Sequence, residues 1–128
     1  MKKTILPCFI KIIIPSRDNK GKRLPSQSTT KWLRKAESLF KQTFGGCTIY
    51  AGVGIYDPIT GELEIREEIK SVEAYCTKAD YATKLEEIEK FCIEMGKALK
   101  QESIALISSE GMAIIEIETK GKDNDKEA

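Results

Sequence analysis

A chain of 128 residues with 41% hydrophobic and 32% charged side chains suits one folded domain with a single core, and excludes a disordered or fibrous protein. Its net charge of +1 argues against general coating of nucleic acid, yet Met1–Lys35 carry ten Lys/Arg against Asp18 alone while the remainder carries eleven basic against nineteen acidic side chains, so the amino-terminal third favours an anionic partner. No histidine is present and Cys8, Cys47, Cys76 and Cys92 form no Cys-x-x-Cys pair, so neither a metal site nor a cofactor is expected, and the thiols read as reduced, small hydrophobes of a cytoplasmic protein.

Lys2-Lys3 before an apolar run imitates a signal peptide. Lys11 breaks that run, Pro15 ends it, and no small-x-small cleavage site follows; the run is also well short of the ~20 apolar residues of a membrane span. Ile5 to Ile14 instead predicts a strand buried on both faces and hence central in its sheet. Ser16 to Ser28 reads as a basic loop, with Ser28, Thr29 or Thr30 available to cap a helix from about Lys31 to Thr43. In that helix Trp32 or Leu33, Ala36, and Leu39 or Phe40 make one apolar stripe, and Gly45-Gly46 stops it.

From Cys47 to Ile55, aliphatic residues alternate with Thr48, Tyr50, Gly52, Gly54 and Tyr56, the pattern of an amphipathic strand. Asp57 to Gly61 is turn chemistry. The next strand, Leu63 to Cys76, keeps its apolar residues in one phase to Ile69 and in the other from Val72, which suggests a bulge near Lys70-Ser71. A second helix spans about Asp80 to Lys100, with Tyr81, Leu85, Ile88, Cys92, Met95 and Leu99 at steps of four and three. Ser103–Ile107 and Met112–Ile117 read as strands around a turn at Ser108–Gly111, and residues 119–128 as a polar disordered tail. Residues 1–118 therefore read as one α+β domain in strand–helix–strand–strand–helix–strand order, with a possible extra carboxy-terminal strand. That is the split βαβ, ferredoxin-like plan, an antiparallel sheet with both helices on one face.

Phe44-Gly45-Gly46-Cys47-Thr48, glycine at 52 or 54 and Gln101-Glu102-Ser103 resemble a group of small bacterial and phage proteins with Phe-Gly-Gly-Ala/Cys-Thr and a later Gln-Glu-Ala/Ser. The resemblance covers about Trp32 to Leu106. It implies the fold and an accessory, phage-related role, and carries no chemistry with it.

The site expected from the residues is the basic loop. Arg17, Lys20, Lys22 and Arg23 lie between a central strand and a helix amino terminus, where free N–H groups and the helix dipole add positive potential. The ferredoxin-like plan brings Gln101 to the same end of the sheet as a neutral hydrogen-bond partner. The reading is a non-enzymatic module for an anionic, phosphate-bearing, nucleotide-like small molecule, with no catalytic residue assigned. The open sheet face bearing Tyr50 and Tyr56 would be covered in a homodimer. An enzyme using Glu67 or Glu102 as acid/base, with Thr48 or Tyr50, is the alternative; Glu67 interrupts the apolar phase of Leu63, Ile65 and Ile69 and needs a partner or a function. RNA binding is weaker, given the near-zero net charge and one tyrosine-bearing strand.

Overall fold

The structure is a computed structural model that describes residues 1–57 and 63–118. Most of the expected turn (Pro58 to Gly61), Glu62 and the polar tail 119–128 lie outside the described residues. The chain runs β1 (Cys8–Ile14), α1 (Ser26–Phe44), β2 (Thr48–Tyr56), β3 (Ile65–Cys76), α2 (Lys78–Ala98), β4 (Ser103–Ser108) and β5 (Gly111–Glu116). The strands form one antiparallel sheet in the order β2-β3-β1-β4-β5. This is the expected α+β, ferredoxin-like arrangement with the extra strand β5 added beyond β4.

Burial follows the two periodicities. Ile10, Ile12 and Ile14 of β1 share one face with Val72, Ala74 and Cys76 of β3 and with Ile104 and Leu106 of β4, and all of these are buried. Trp32, Ala36 and Phe40 of α1 and Tyr81, Ile88, Cys92, Met95 and Leu99 of α2 complete the core. α1 packs on β3 and β1, whereas α2 packs on β4, β1 and β5. Among the described residues, no helix packs on the opposite sheet face.

Several expectations are corrected. β1 begins at Cys8, because Ile5 and Leu6 are exposed and unpaired in the sheet. It is central, yet buried on one face only: Phe9, Lys11 and Ile13 of the uncovered side are half-buried. α1 begins five residues before Lys31, at Ser26, and Pro25 occupies the position before its first turn with no side-chain cap. Ser28, Thr29 and Thr30 are thus inside the helix, since proline's fixed φ preorganises a helix start that needs no hydroxyl. Gly45 ends it in the left-handed conformation, φ 86°, as a C-terminal glycine does.

The expected bulge is absent. Lys70 and Ser71 pair in unbroken register with Ile14 and Ile13 on one side and with Ala51 and Tyr50 on the other. The apolar phase changes without a bulge: Val72, Ala74 and Cys76 face the helices, Ile69 lies on the uncovered side, and α1 is offset from β2 toward β3 and β1. The same offset leaves Ile49, Val53 and Ile55 of β2 exposed although they point to the helix side.

Candidate functional site

The basic loop is a small closed hairpin. Arg17 bridges Arg23, Leu24 N donates to Ser16 O at 2.8 Å, and Asp18 N donates to Lys22 O at 2.8 Å. Asp18 lies at its centre, with Oδ1 accepting from the N–H groups of Lys20 and Lys22 at 2.9 Å each. The Lys22 amide above all, with that of Lys20 and the charge of Lys100, outweighs the loss of hydration and holds the Asp18 carboxyl below its ordinary range.

Three ties fix this hairpin to the sheet. Glu67 Oε1 accepts from Ser16 N at 2.8 Å, Arg17 N at 2.9 Å and Ser16 Oγ at 3.3 Å. Gln101 Nε2 donates to Arg17 O at 2.7 Å and to Leu99 O at 2.9 Å. Asn19 N donates to Lys100 O at 2.9 Å. The last two depend on how α2 ends: Lys100 is left-handed at φ 54°, and Gln101 N returns to Gly96 O at 2.9 Å, which turns the chain sharply toward the loop.

The structure therefore brings Arg17 and Gln101 together, but through main-chain and amide groups. Both N–H bonds of the Gln101 amide are used within the protein, and the Arg17 guanidinium folds back onto Gly21 O at 3.0 Å. Lys20 and Lys22 are exposed. Of the four expected cations, Arg23 lines a concavity.

That concavity is a cleft of ≈ 990 Å³ on the helix side of the sheet, at the upper end of the usual range for small-molecule sites, roughly 300–1,000 Å³. It exists because α1 is displaced from β2. Ser26, Thr29, Thr30 and Leu33 of α1 form one wall, and Ala51, Gly52, Val53, Glu68, Ile69 and Lys70 form the floor. Ile14, Pro15, Ser16, Arg23, Leu24 and Pro25 close the end. The lining is mostly apolar, with Arg23, Lys70 and the uncapped start of α1 as its positive groups and Glu68 as its carboxylate. Sequence reasoning found Arg23 and missed the rest; the exposed aliphatic Val53 on a strand read as covered becomes a signal only once the helix position is known.

Glu67 and Glu102 stand apart from this cleft. Glu67 faces the uncovered side, half-buried and engaged by the loop, and Glu102 is exposed at the start of β4. Thr48 and Tyr50 also face the uncovered side, opposite Glu73 and Ser71. Among the described residues, no group of three or more Cys, Asp or Glu side chains could hold a metal ion, and no helix is long and apolar enough to cross a membrane.

By this layout the chain falls in the class of α+β proteins whose antiparallel sheet carries both helices on one face. Among solved structures it is similar to a phage SAM lyase in complex with S-methyl-5′-thioadenosine, at a TM-score of 0.62 and 15% identity over 91% of this chain and 95% of that one. It is also similar to a phage SAM lyase in its apo state, at a TM-score of 0.59 and 14% identity over 93% and 98% of the two chains. At such identity the likeness is one of fold. No family model matches the chain, and no curated relative does.

Proposed function

We propose that this protein is a small cytoplasmic binding module for an adenosyl-type nucleoside, seated in the cleft between the start of α1 and strands β2 and β3. The observation that carries the reading is the cleft itself: a mostly apolar lining with room for a nucleoside, Arg23 at its closed end, and Lys70 and Glu68 on its floor. The likeness in fold to a protein solved with S-methyl-5′-thioadenosine supplies the ligand class, and agrees with an accessory, phage-related role. Leu24, Leu33 and Val53 offer apolar contact to a base and ribose.

The anion expected from the sequence takes a more specific form here. S-Methyl-5′-thioadenosine has no phosphate, whereas S-adenosylmethionine adds an amino-acid arm ending in a carboxylate. Arg23, Lys70 and the free N–H groups of α1 suit that carboxylate, or the phosphate of a nucleotide. A thermal-shift series tests the reading: S-methyl-5′-thioadenosine, S-adenosylmethionine and 5′-AMP should each raise the melting temperature, because each binds the folded state alone. No shift with any of them at millimolar concentration rejects it. A homodimer through the uncovered sheet face, where Tyr50, Tyr75, Met112 and Ile114 are exposed, belongs to the same proposal.

Glu68 favours a second reading, as an enzyme that cleaves S-adenosylmethionine. Its carboxylate lines the cleft floor, where a negative charge would attract a sulfonium. Release of S-methyl-5′-thioadenosine breaks the bond between sulfur and the amino-acid arm; sulfur keeps the electron pair and leaves as a neutral thioether. The arm makes good the loss by closing onto its own carboxylate, or by giving a neighbouring proton to a base. Chromatography of S-adenosylmethionine incubated with the protein decides between the readings: thioadenosine in excess over the no-protein control supports the enzyme, and its absence leaves the binding module.

A further inference from the structure

Two of the four thiols are neighbours across the sheet. In the antiparallel pairing of β1 with β3, Cys8 stands directly opposite Cys76. Both belong to the alternation that carries Ile10 and Ile12, with Ala74 and Val72, onto the helix-covered face, so the two side chains leave the sheet on the same side. Phe9 spends its main-chain groups on the β4 side: its N–H donates to Ser109 Oγ at 2.8 Å and its carbonyl accepts from Ser109 N at 3.3 Å. The main-chain groups of Cys8 consequently turn the other way, toward Cys76. Opposed residues of this hydrogen-bonded kind have Cα atoms about 5.5 Å apart, within the roughly 4.4–6.8 Å that a disulfide spans.

The pair is also asymmetric. Cys76 is 3% exposed, and burial first, then the nearness of Cys8 and Asp80, pushes its thiol up. Cys8 is half-buried and follows the exposed Pro7 at the mouth of the strand, where a reagent in solution reaches it. The other two cysteines lack this arrangement. Cys92 is fully buried, with its thiol pushed up to about 12 by burial, and Cys47 precedes β2, whose partner positions on β3 run from Ile65 to Glu73 and hold no cysteine.

We propose that Cys8 and Cys76 are an oxidation site, a dithiol that a low-molecular-weight disulfide such as oxidised glutathione converts into an intramolecular disulfide. Cys8, as thiolate, attacks one sulfur of oxidised glutathione; that S–S bond breaks and one glutathione leaves as a thiolate. Cys76 then gives its proton to solvent and attacks the Cys8 sulfur, and the second glutathione leaves. Two protein thiols are oxidised and one glutathione disulfide is reduced to two thiols. The link joins the start of β1 to the end of β3, at the far end of both strands from Ile14 and Lys70, which line the cleft. It therefore adds a constraint on the unfolded chain without reshaping the ligand site, and it stands independently of the nucleoside reading.

The test treats the folded protein with oxidised glutathione, alkylates remaining thiols in denaturant and digests with trypsin without reduction. The expected product is peptide Thr4–Lys11 linked to Ser71–Lys78 with the loss of two hydrogens, while the peptides bearing Cys47 and Cys92 are alkylated; the oxidised protein melts above the reduced one. In the C8S variant, Cys76 should remain free for as long as the protein stays folded. A lasting glutathione adduct on Cys8 without the link, a link that involves Cys47 or Cys92, or four alkylated thiols after treatment overturns the proposal.

Discussion

One carboxylate oxygen holds the basic loop to the sheet. Glu67 Oε1 gathers two main-chain N–H groups and a hydroxyl from Ser16 and Arg17, and no lysine or arginine is needed to hold it there. Replacing Glu67 by Ala leaves those part-buried donors without a partner, and should cost about 1–3 kcal/mol by urea unfolding. Gln keeps an acceptor oxygen and should cost less, since it forfeits only the charge assistance. Asp18 acts the same way inside the loop, with a pH signature. Its folded carboxyl titrates below the ordinary 3.8, so its contribution is complete above that value and is lost as pH falls through the lower folded one. Proteolysis between Arg17 and Arg23 should accelerate only in that acid window, and the Asp18→Asn variant should not show the step. That Glu67 needed a partner was legible in the sequence, because it breaks an apolar phase. Its partner was not, because the contact joins positions fifty residues apart and depends on where β3 meets the end of β1.

At the scale of elements, the two helices start and stop by different chemistry. Thr77 caps α2, its side chain accepting from Asp80 N at 3.1 Å, whereas α1 begins behind Pro25 with no side-chain cap. Thr77→Ala should therefore cost about 1 kcal/mol, and Ser28→Ala should stay within about 0.5 kcal/mol, both read from denaturant midpoints. Gly96 sets a competition in α2. Alanine there gains about 1 kcal/mol of helix propensity, but its Cβ would meet Ile117 Cδ1 at 2.6 Å and Cγ1 at 2.7 Å. Overpacking of that kind costs about 1–3 kcal/mol, so Gly96→Ala should destabilise on balance. Helix periods, strand alternation and the glycine stop of α1 could all be read from the residues, since each is local. The start of α1 and the register of β3 could not. The hydroxyls at 28–30 imitate a cap, and the change of apolar phase imitates a bulge, until the offset of α1 is known.

The offset of α1 toward β3 and β1 governs the molecule as a whole. It leaves β2 uncovered on the helix side, opens the cleft, and places Arg23 at its rim. On the opposite face, Phe9 and Tyr75 pack with ring centroids 5.7 Å apart, and Tyr50, Met112 and Ile114 are exposed on that same side of the sheet. If that face pairs two copies, light scattering should give twice the 14.4 kDa protomer mass, and Tyr75→Glu should return the monomer; a wild-type monomer at all concentrations counts against the dimer. The nucleoside reading has a sharper test, because its two ligands share the methylthioadenosine part and differ in the amino-acid arm and the sulfonium charge that comes with it. Calorimetric titration of the wild type and of Arg23→Ala with S-methyl-5′-thioadenosine and S-adenosylmethionine should show both ligands binding the wild type. The variant should lose about 1.5–3 kcal/mol, roughly 10- to 150-fold, for S-adenosylmethionine alone. Heat of binding absent for both ligands in the wild type, or an equal loss for the two in the variant, would contradict a cleft that holds the nucleoside on its apolar floor and the carboxylate at Arg23.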